Sequence, residues 1–98
     1  MERKNVEGSI ILITGAGSGL GRELSKRLAK SRPRLVLWDM NETGVEETAK
    51  MCREFGAECY AYVVDVSNRE MVYKTADLVK KEVGDVEILI NNAGIINQ

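Results

Sequence analysis

The stretch IILITGAGSGLG, residues 10–21, decides the fold of this chain. Its first four residues are an uncharged apolar run, typical of a strand buried on both faces of a parallel sheet. Glycines follow at positions 15, 17, 19 and 21. Leu20, Leu24 and Leu28 then recur every four residues, with charged residues on the other faces, which predicts an amphipathic helix. A strand, a glycine turn and a helix direct backbone N–H groups and a positive helix end toward a phosphate, so we predict a nucleotide site here.

Composition limits the other possibilities. Ninety-eight residues with 44% hydrophobic and 30% charged residues suit at most one domain. The net charge is −1 and the basic residues are scattered, so no nucleic-acid partner is expected. The two cysteines, Cys52 and Cys59, are too few for a zinc site, and we expect them to be reduced. Without histidine the chain contains no Ser-His or Cys-His pair, and no apolar run is long enough for a membrane span or signal peptide.

Several glycine motifs resemble this turn and can be tested by position. The pattern G-x-G-x-x-G needs a third glycine where Leu20 stands, and the P-loop pattern needs a Gly-Lys-Ser/Thr that does not follow. The G-x-G-x-G turn of S-adenosylmethionine methyltransferases fits, but those enzymes usually carry an acidic residue where this chain has Ile13. The pattern T-G-x-x-x-G-x-G is met in full, by Thr14, Gly15, Gly19 and Gly21.

That pattern resembles the short-chain dehydrogenase/reductase family, and three further motifs follow in the family's order. Asp39 closes the apolar run 35–38, Asp65-Val66 follows the next run, and Asn91-Asn92-Ala93-Gly94 follows the last. The resemblance covers residues 10–96. Alternation of strands and helices with short connections predicts a Rossmann-like, doubly wound parallel α/β sheet, βαβαβαβ, with strand order 3-2-1-4.

The remaining elements follow from apolar periodicity and its breakers. Pro33 ends the first helix, and Gly84 ends the third. Ser67 and Glu70 predict a capping box in which the serine oxygen accepts the Glu70 N–H. We expect strands over 35–38, 58–64 and 86–90, a helix over 42–55 buried through Val45, Ala49, Cys52 and Phe55, and a third helix with an apolar stripe of Val72, Ala76 and Val79.

The cofactor preference is predicted from the residue that ends the second strand. A carboxylate at Asp39 would bond the ribose hydroxyls and repel a 2′-phosphate, by about 1 kcal/mol in water and about 4 kcal/mol at partly buried dielectric for a separation of about 4 Å. Ser18 and Met40 stand where NADP-preferring relatives usually carry Arg or Lys. We therefore predict NAD rather than NADP. The resemblance implies cofactor contacts from Thr14, Gly15, Gly17, Ser18, Gly19, Leu20, Gly21, Asp39, Met40, Asp65, Val66, Asn92, Ala93 and Gly94.

The family's reaction is hydride transfer between a nicotinamide and an alcohol or carbonyl, with a tyrosine as acid/base and a lysine four residues later. The fourth residue after Tyr60, Tyr62 or Tyr73 is not a lysine. We therefore expect no catalytic residue and no metal in this chain. Residues 1–98 would be the dinucleotide-binding portion of a single short-chain dehydrogenase domain, truncated before the catalytic segment and inactive alone.

Residues 35–48, 65–73 and 81–92 look like the branch that contains epidermal retinol dehydrogenases and lipid-droplet 17-beta-hydroxysteroid dehydrogenases. This resemblance implies a small lipophilic alcohol or carbonyl substrate, such as retinol or a steroid. It also implies a family-like homodimer and a cytosol-facing location at the endoplasmic reticulum or a lipid droplet. Those proteins usually carry an apolar anchor before the first strand, and no such stretch precedes Ser9 here. The alternative is a non-catalytic product that binds nucleotide or interferes with a full-length subunit.

Overall fold

Each apolar run becomes a strand of one parallel sheet, and a helix makes each connection. The computed structural model describes residues 6–93. The elements are β1 (Ile10–Thr14), α1 (Gly19–Ala29), β2 (Arg34–Asp39), α2 (Glu42–Glu54), β3 (Glu58–Val63), α3 (Arg69–Glu82) and β4 (Ile88–Asn91). The sheet order is β3-β2-β1-β4, and every neighbouring pair is parallel. The predicted fold class and strand order are confirmed.

The core lies on both faces of the sheet because successive side chains of a strand point to opposite sides. Leu35 and Leu37 of β2 belong to a buried cluster with residues of α1 and α2. Val36 and Trp38 belong to a second cluster, which includes Val79 of α3. The two central strands, β1 and β2, are therefore covered by helices on both faces, as their uncharged sequences predict.

The face through which α1 packs differs from the prediction. Leu20 is 60% exposed, and Leu24 and Leu28 are only half-buried. Small side chains let α1 approach β1 and α2 closely, so these positions form its buried face. The Ser25 hydroxyl donates to the Gly21 carbonyl over 2.7 Å, which satisfies it in the core. The buried residues of α1 are Gly21, Ser25 and Ala29.

The start of α3 also differs from the prediction. Its N-cap is Asn68, whose side chain accepts the Met71 N–H over 3.0 Å. The Ser67 hydroxyl is not available as a cap because it donates to Asp65 Oδ1 over 2.7 Å. The capping box is therefore wrong by one residue, although the helix starts where expected.

Several predicted apolar positions at the edges of the structure are exposed. Phe55, expected on the buried face of α2, lies beyond the end of that helix and is 43% exposed. On α3 only Val79 is buried, while Val72 is half-buried and Ala76 exposed. The last strand begins at Ile88, two residues later than predicted. No helix among residues 6–93 is both long and apolar enough to span a membrane.

Candidate functional site

The carboxyl ends of all four strands border one cavity of about 550 Å³. It lies where the strand order reverses between β1 and β4, the position at which open parallel sheets bind ligands. Its walls come from the glycine turn and from the residues that follow β2, β3 and β4. The lining residues are Gly15, Ser18, Gly19, Leu20, Trp38, Asp39, Met40, Val64, Asp65, Val66, Ser67, Asn92 and Ala93.

The glycine turn is packed too tightly for side chains at two of its positions. A Cβ at Gly15 would lie 2.8 Å from Asn92 Nδ2, and a Cβ at Gly21 would overlap the carbonyl oxygen of Gly15. The same Asn92 amide donates to the Gly15 oxygen over 3.2 Å, which ties the turn to the residue after β4. Gly19 has a φ of +52° and no atom within 4 Å of the place a Cβ would take. The turn is thus closed toward the protein and open at Gly19.

The N-terminus of α1 lacks the groups that complete the other helices. Asn41 and Asn68 cap α2 and α3, whose first turns carry Glu42 and Glu70. Ser18 occupies the N-cap position of α1 without a side-chain hydrogen bond, and no acidic residue stands in that first turn. The free N–H groups and the positive end of the dipole remain at the cavity, where a diphosphate fits them.

Asp39 lies directly behind the turn at the end of β2. Its Oδ2 accepts the Gly17 N–H and its Oδ1 accepts the Asn41 N–H, both over 2.9 Å. A Cβ at Gly17 would come within 2.8 Å of Asp39 Cγ, which explains the glycine there. The carboxylate retains lone pairs that can accept hydroxyl groups from a ribose. No Lys or Arg stands among the residues that line the cavity in the described part of the chain.

Thr14 joins β1 to the residues after β4. Its hydroxyl donates to Asn91 Oδ1 over 2.9 Å and accepts the Ala93 N–H over 3.0 Å. Among the predicted contact residues, Thr14, Gly17 and Gly21 do not line the cavity but shape the backbone that does. Predicted Gly94 lies outside the described residues.

Asp65 forms the wall after β3. Hydrogen bonds from the Ser67 hydroxyl and the Ser67 N–H, over 2.7 and 3.0 Å, hold the pKa of the Asp65 carboxyl below its ordinary value. Both donors favour its charged form.

Three lining residues were not predicted, namely Trp38, Val64 and Ser67. Trp38 is 4% exposed, and its indole N–H has no partner among the described residues. Its position next to Asp39 at a strand end was the available signal, since alternation sends the two side chains to opposite faces.

The parallel sheet, the glycine turn and the uncapped helix at the switch point define a Rossmann-type fold. The chain belongs to the short chain dehydrogenase family, whose family model matches residues 9–98. The resemblance stated from the motifs is confirmed.

Curated relatives support the branch as well. The chain is 63% identical over 95 residues to epidermal retinol dehydrogenase 2 of Homo sapiens, covering 96% of this chain and 31% of that protein. It is 57% identical over 94 residues to 17-beta-hydroxysteroid dehydrogenase 13 of Homo sapiens, again covering 96% and 31%. The chain thus spans about a third of the length of these relatives.

Solved structures share the fold. NAD+-bound xylitol dehydrogenase superposes with a TM-score of 0.84 at 36% identity, over 88% of this chain and 33% of the other. L-sorbose reductase from Gluconobacter frateurii, complexed with NADPH and L-sorbose, has a TM-score of 0.85 at 30% identity, over 90% and 34%. These two neighbours hold different nicotinamide cofactors, so the preference of this chain has to be argued from its own residues.

Proposed function

We propose that this chain supplies the NAD-binding part of an oxidoreductase that interconverts a lipophilic alcohol, such as retinol or a steroid, with its carbonyl. The observation that carries the cofactor assignment is the Asp39 carboxylate, bonded to the turn beside a cavity without a lining cation. The substrate class is supported by the names of the relatives, a retinol dehydrogenase and a hydroxysteroid dehydrogenase.

Each wall of the cavity has a separate task in this proposal. The start of α1 holds the diphosphate with backbone N–H groups, and Asp39 accepts the adenosine ribose hydroxyls. Asp65 and Val66, after β3, contact the adenine. The bound nicotinamide supplies the hydride donor or acceptor, while the protein supplies binding and orientation.

The acid–base step is proposed to depend on residues beyond this sequence. Tyr62 has the best-defined hydroxyl contact of the three tyrosines, donating to Glu82 Oε1 over 2.7 Å. Burial, followed by that hydrogen bond to Glu82, raises the pKa of Tyr62 above its ordinary value. A catalytic tyrosine needs the opposite shift, toward neutral pH. Tyr62 therefore fits a structural role that links β3 to α3.

The test compares the affinities of NAD+ and NADP+. Trp38 is the only tryptophan in the chain and lines the cavity, so its emission reports binding, and calorimetry checks the result. We expect NAD+ to bind tenfold to several-hundredfold more tightly than NADP+, which corresponds to about 1–4 kcal/mol of charge repulsion. In Asp39→Asn this ratio should fall toward one. The ratio is the measured quantity, because losing a hydrogen bond to the turn weakens both ligands.

A matched control removes the same charge elsewhere. Asp77 lies on the exposed side of α3, outside the cavity, and Asp77→Asn should leave the ratio unchanged. A wild-type chain that binds NADP+ as tightly as NAD+ would refute the cofactor assignment. A chain that binds neither would refute the proposed site.

A further inference from the structure

The backbone of Gly17 is held from both sides. Its N–H donates to Asp39 Oδ2 over 2.9 Å, and its carbonyl oxygen accepts Arg22 Nη2 over 2.8 Å. The carbonyl of Gly17 and the N–H of Ser18 belong to one planar trans peptide, in which the two groups point in opposite directions. Fixing the Gly17 oxygen therefore fixes the direction of the Ser18 N–H, and Ser18 lines the cavity.

The close approach of α2 explains why this carbonyl needs a donor. A Cβ at Gly44 would come within 2.7 Å of the Gly17 oxygen, so the first turn of α2 lies directly against the glycine turn. Gly17 is buried. A buried carbonyl without a partner is costly, and Arg22 is the side chain that supplies the hydrogen bond.

The guanidinium of Arg22 is fixed in turn by α2. Its Nε donates to Thr48 Oγ1 over 2.9 Å. Its Nη2 also donates to the Gly44 oxygen over 3.1 Å and to Glu47 Oε1 over 3.2 Å. A planar fork with several donors can satisfy these acceptors together, which an ammonium group cannot do in the same geometry.

We propose that Arg22 is a positioning residue, which orients the Gly17–Ser18 peptide so that the start of α1 can bind the diphosphate of the cofactor. This inference rests on the proposed function and assigns a role within the same site. Arg22 does not act by touching the ligand, because it is bonded to four acceptors of the turn and α2 and is absent from the cavity lining. Its charge is paired with Glu47.

The experiment uses ADP-ribose and adenosine as probes of the folded chain, which differ by the diphosphate. Arg22→Met should weaken ADP-ribose by about tenfold, as expected for loss of hydrogen bonds to a charged group, and change adenosine by less than about twofold. Arg22→Lys keeps the charge without the fork and should lose several-fold in ADP-ribose affinity. Lys26→Met removes a cation of the same helix that is outside the cavity and should bind like wild type.

Each outcome decides the matter. Equal ADP-ribose affinity in Arg22→Met and wild type would overturn the inference and leave the proposed function intact. Equal losses for both probes would indicate a general structural role, and an equal loss in Lys26→Met would indicate unspecific charge attraction; both would also overturn it. A wild-type chain that binds neither NAD+ nor ADP-ribose would instead refute the proposed function. If Arg22→Met does not fold, Thr48→Val removes one anchor of the guanidinium, and its failure to weaken ADP-ribose selectively would overturn the inference.

Discussion

Replacing Gly21 by alanine adds one methyl group at the narrowest contact of the site. The new Cβ would overlap the Gly15 carbonyl oxygen and lie 2.7 Å from the Gly15 carbonyl carbon and 2.9 Å from Asn92 Nδ2. Carbon atoms in contact prefer about 3.5–4.0 Å, so α1 must move from the turn by roughly 1 Å. Two of the three contacts are backbone atoms, which cannot rotate away.

The magnitude follows from three opposing contributions. Overpacking costs about 1–3 kcal/mol, and loss of the Asn92 hydrogen bond to the Gly15 oxygen costs about 1 kcal/mol. The better helix propensity of alanine returns at most about 1 kcal/mol. We therefore expect Gly21→Ala to lower the free energy of unfolding by about 2 kcal/mol.

Urea unfolding followed by Trp38 emission measures this change. Ser18→Ala is the control in the same turn, because its hydroxyl caps nothing, and it should change stability by less than about 0.5 kcal/mol. The midpoint of Gly21→Ala should fall without a change in the slope m. Stability within about 0.5 kcal/mol of wild type would refute the close approach of α1 to the turn.

The remaining predictions concern the loop between β3 and α3. Asn68→Ala should lower the free energy of unfolding by about 1 kcal/mol in the same urea assay, because it leaves the Met71 N–H without its cap. An equal loss in Ser67→Ala and none in Asn68→Ala would contradict this cap assignment. The hydrogen bonds of Ser67 keep the pKa of Asp65 lowered in the folded chain, so their stabilisation is present above the ordinary carboxyl pKa and is lost as the pH falls through the folded pKa. Ser67→Ala should raise the Asp65 pKa toward its ordinary value in an NMR titration of the carboxyl carbon, and an unchanged pKa would contradict the assigned cause.

The order of elements was predictable because each carries a local signal. An uncharged run such as residues 10–13 can be satisfied only by burial on both faces, and the glycines after it have few other uses. Asp39 was found for the same reason, since a carboxylate directly after a buried strand stands at the carboxyl edge of the sheet.

Packing partners were not predictable from the same signals. Hydrophobic periodicity in α1 selects leucines, while the structure buries Gly21, Ser25 and Ala29 because close approach favours small residues there. The competition between Asp65 and Asn68 for local hydrogen bonds decided the cap of α3, and both choices fit the sequence equally well.

Long-range contacts set a further limit. Arg22 meets Gly44, Glu47 and Thr48, which lie 22 to 26 residues away in the chain. No local pattern relates such positions, because their contact depends on how two helices cross the same face of the sheet. The role of Arg22 therefore became visible only in three dimensions.

The fastening of Thr14 to Asn91 and of Gly15 to Asn92 joins residues 77 positions apart. Contacts of such large sequence separation form late, because a long loop must close before they are made. During synthesis, the first strand and its glycines leave the ribosome long before the asparagines that secure them. A nascent chain should therefore gain cofactor-dependent resistance to proteolysis only once residue 92 has emerged.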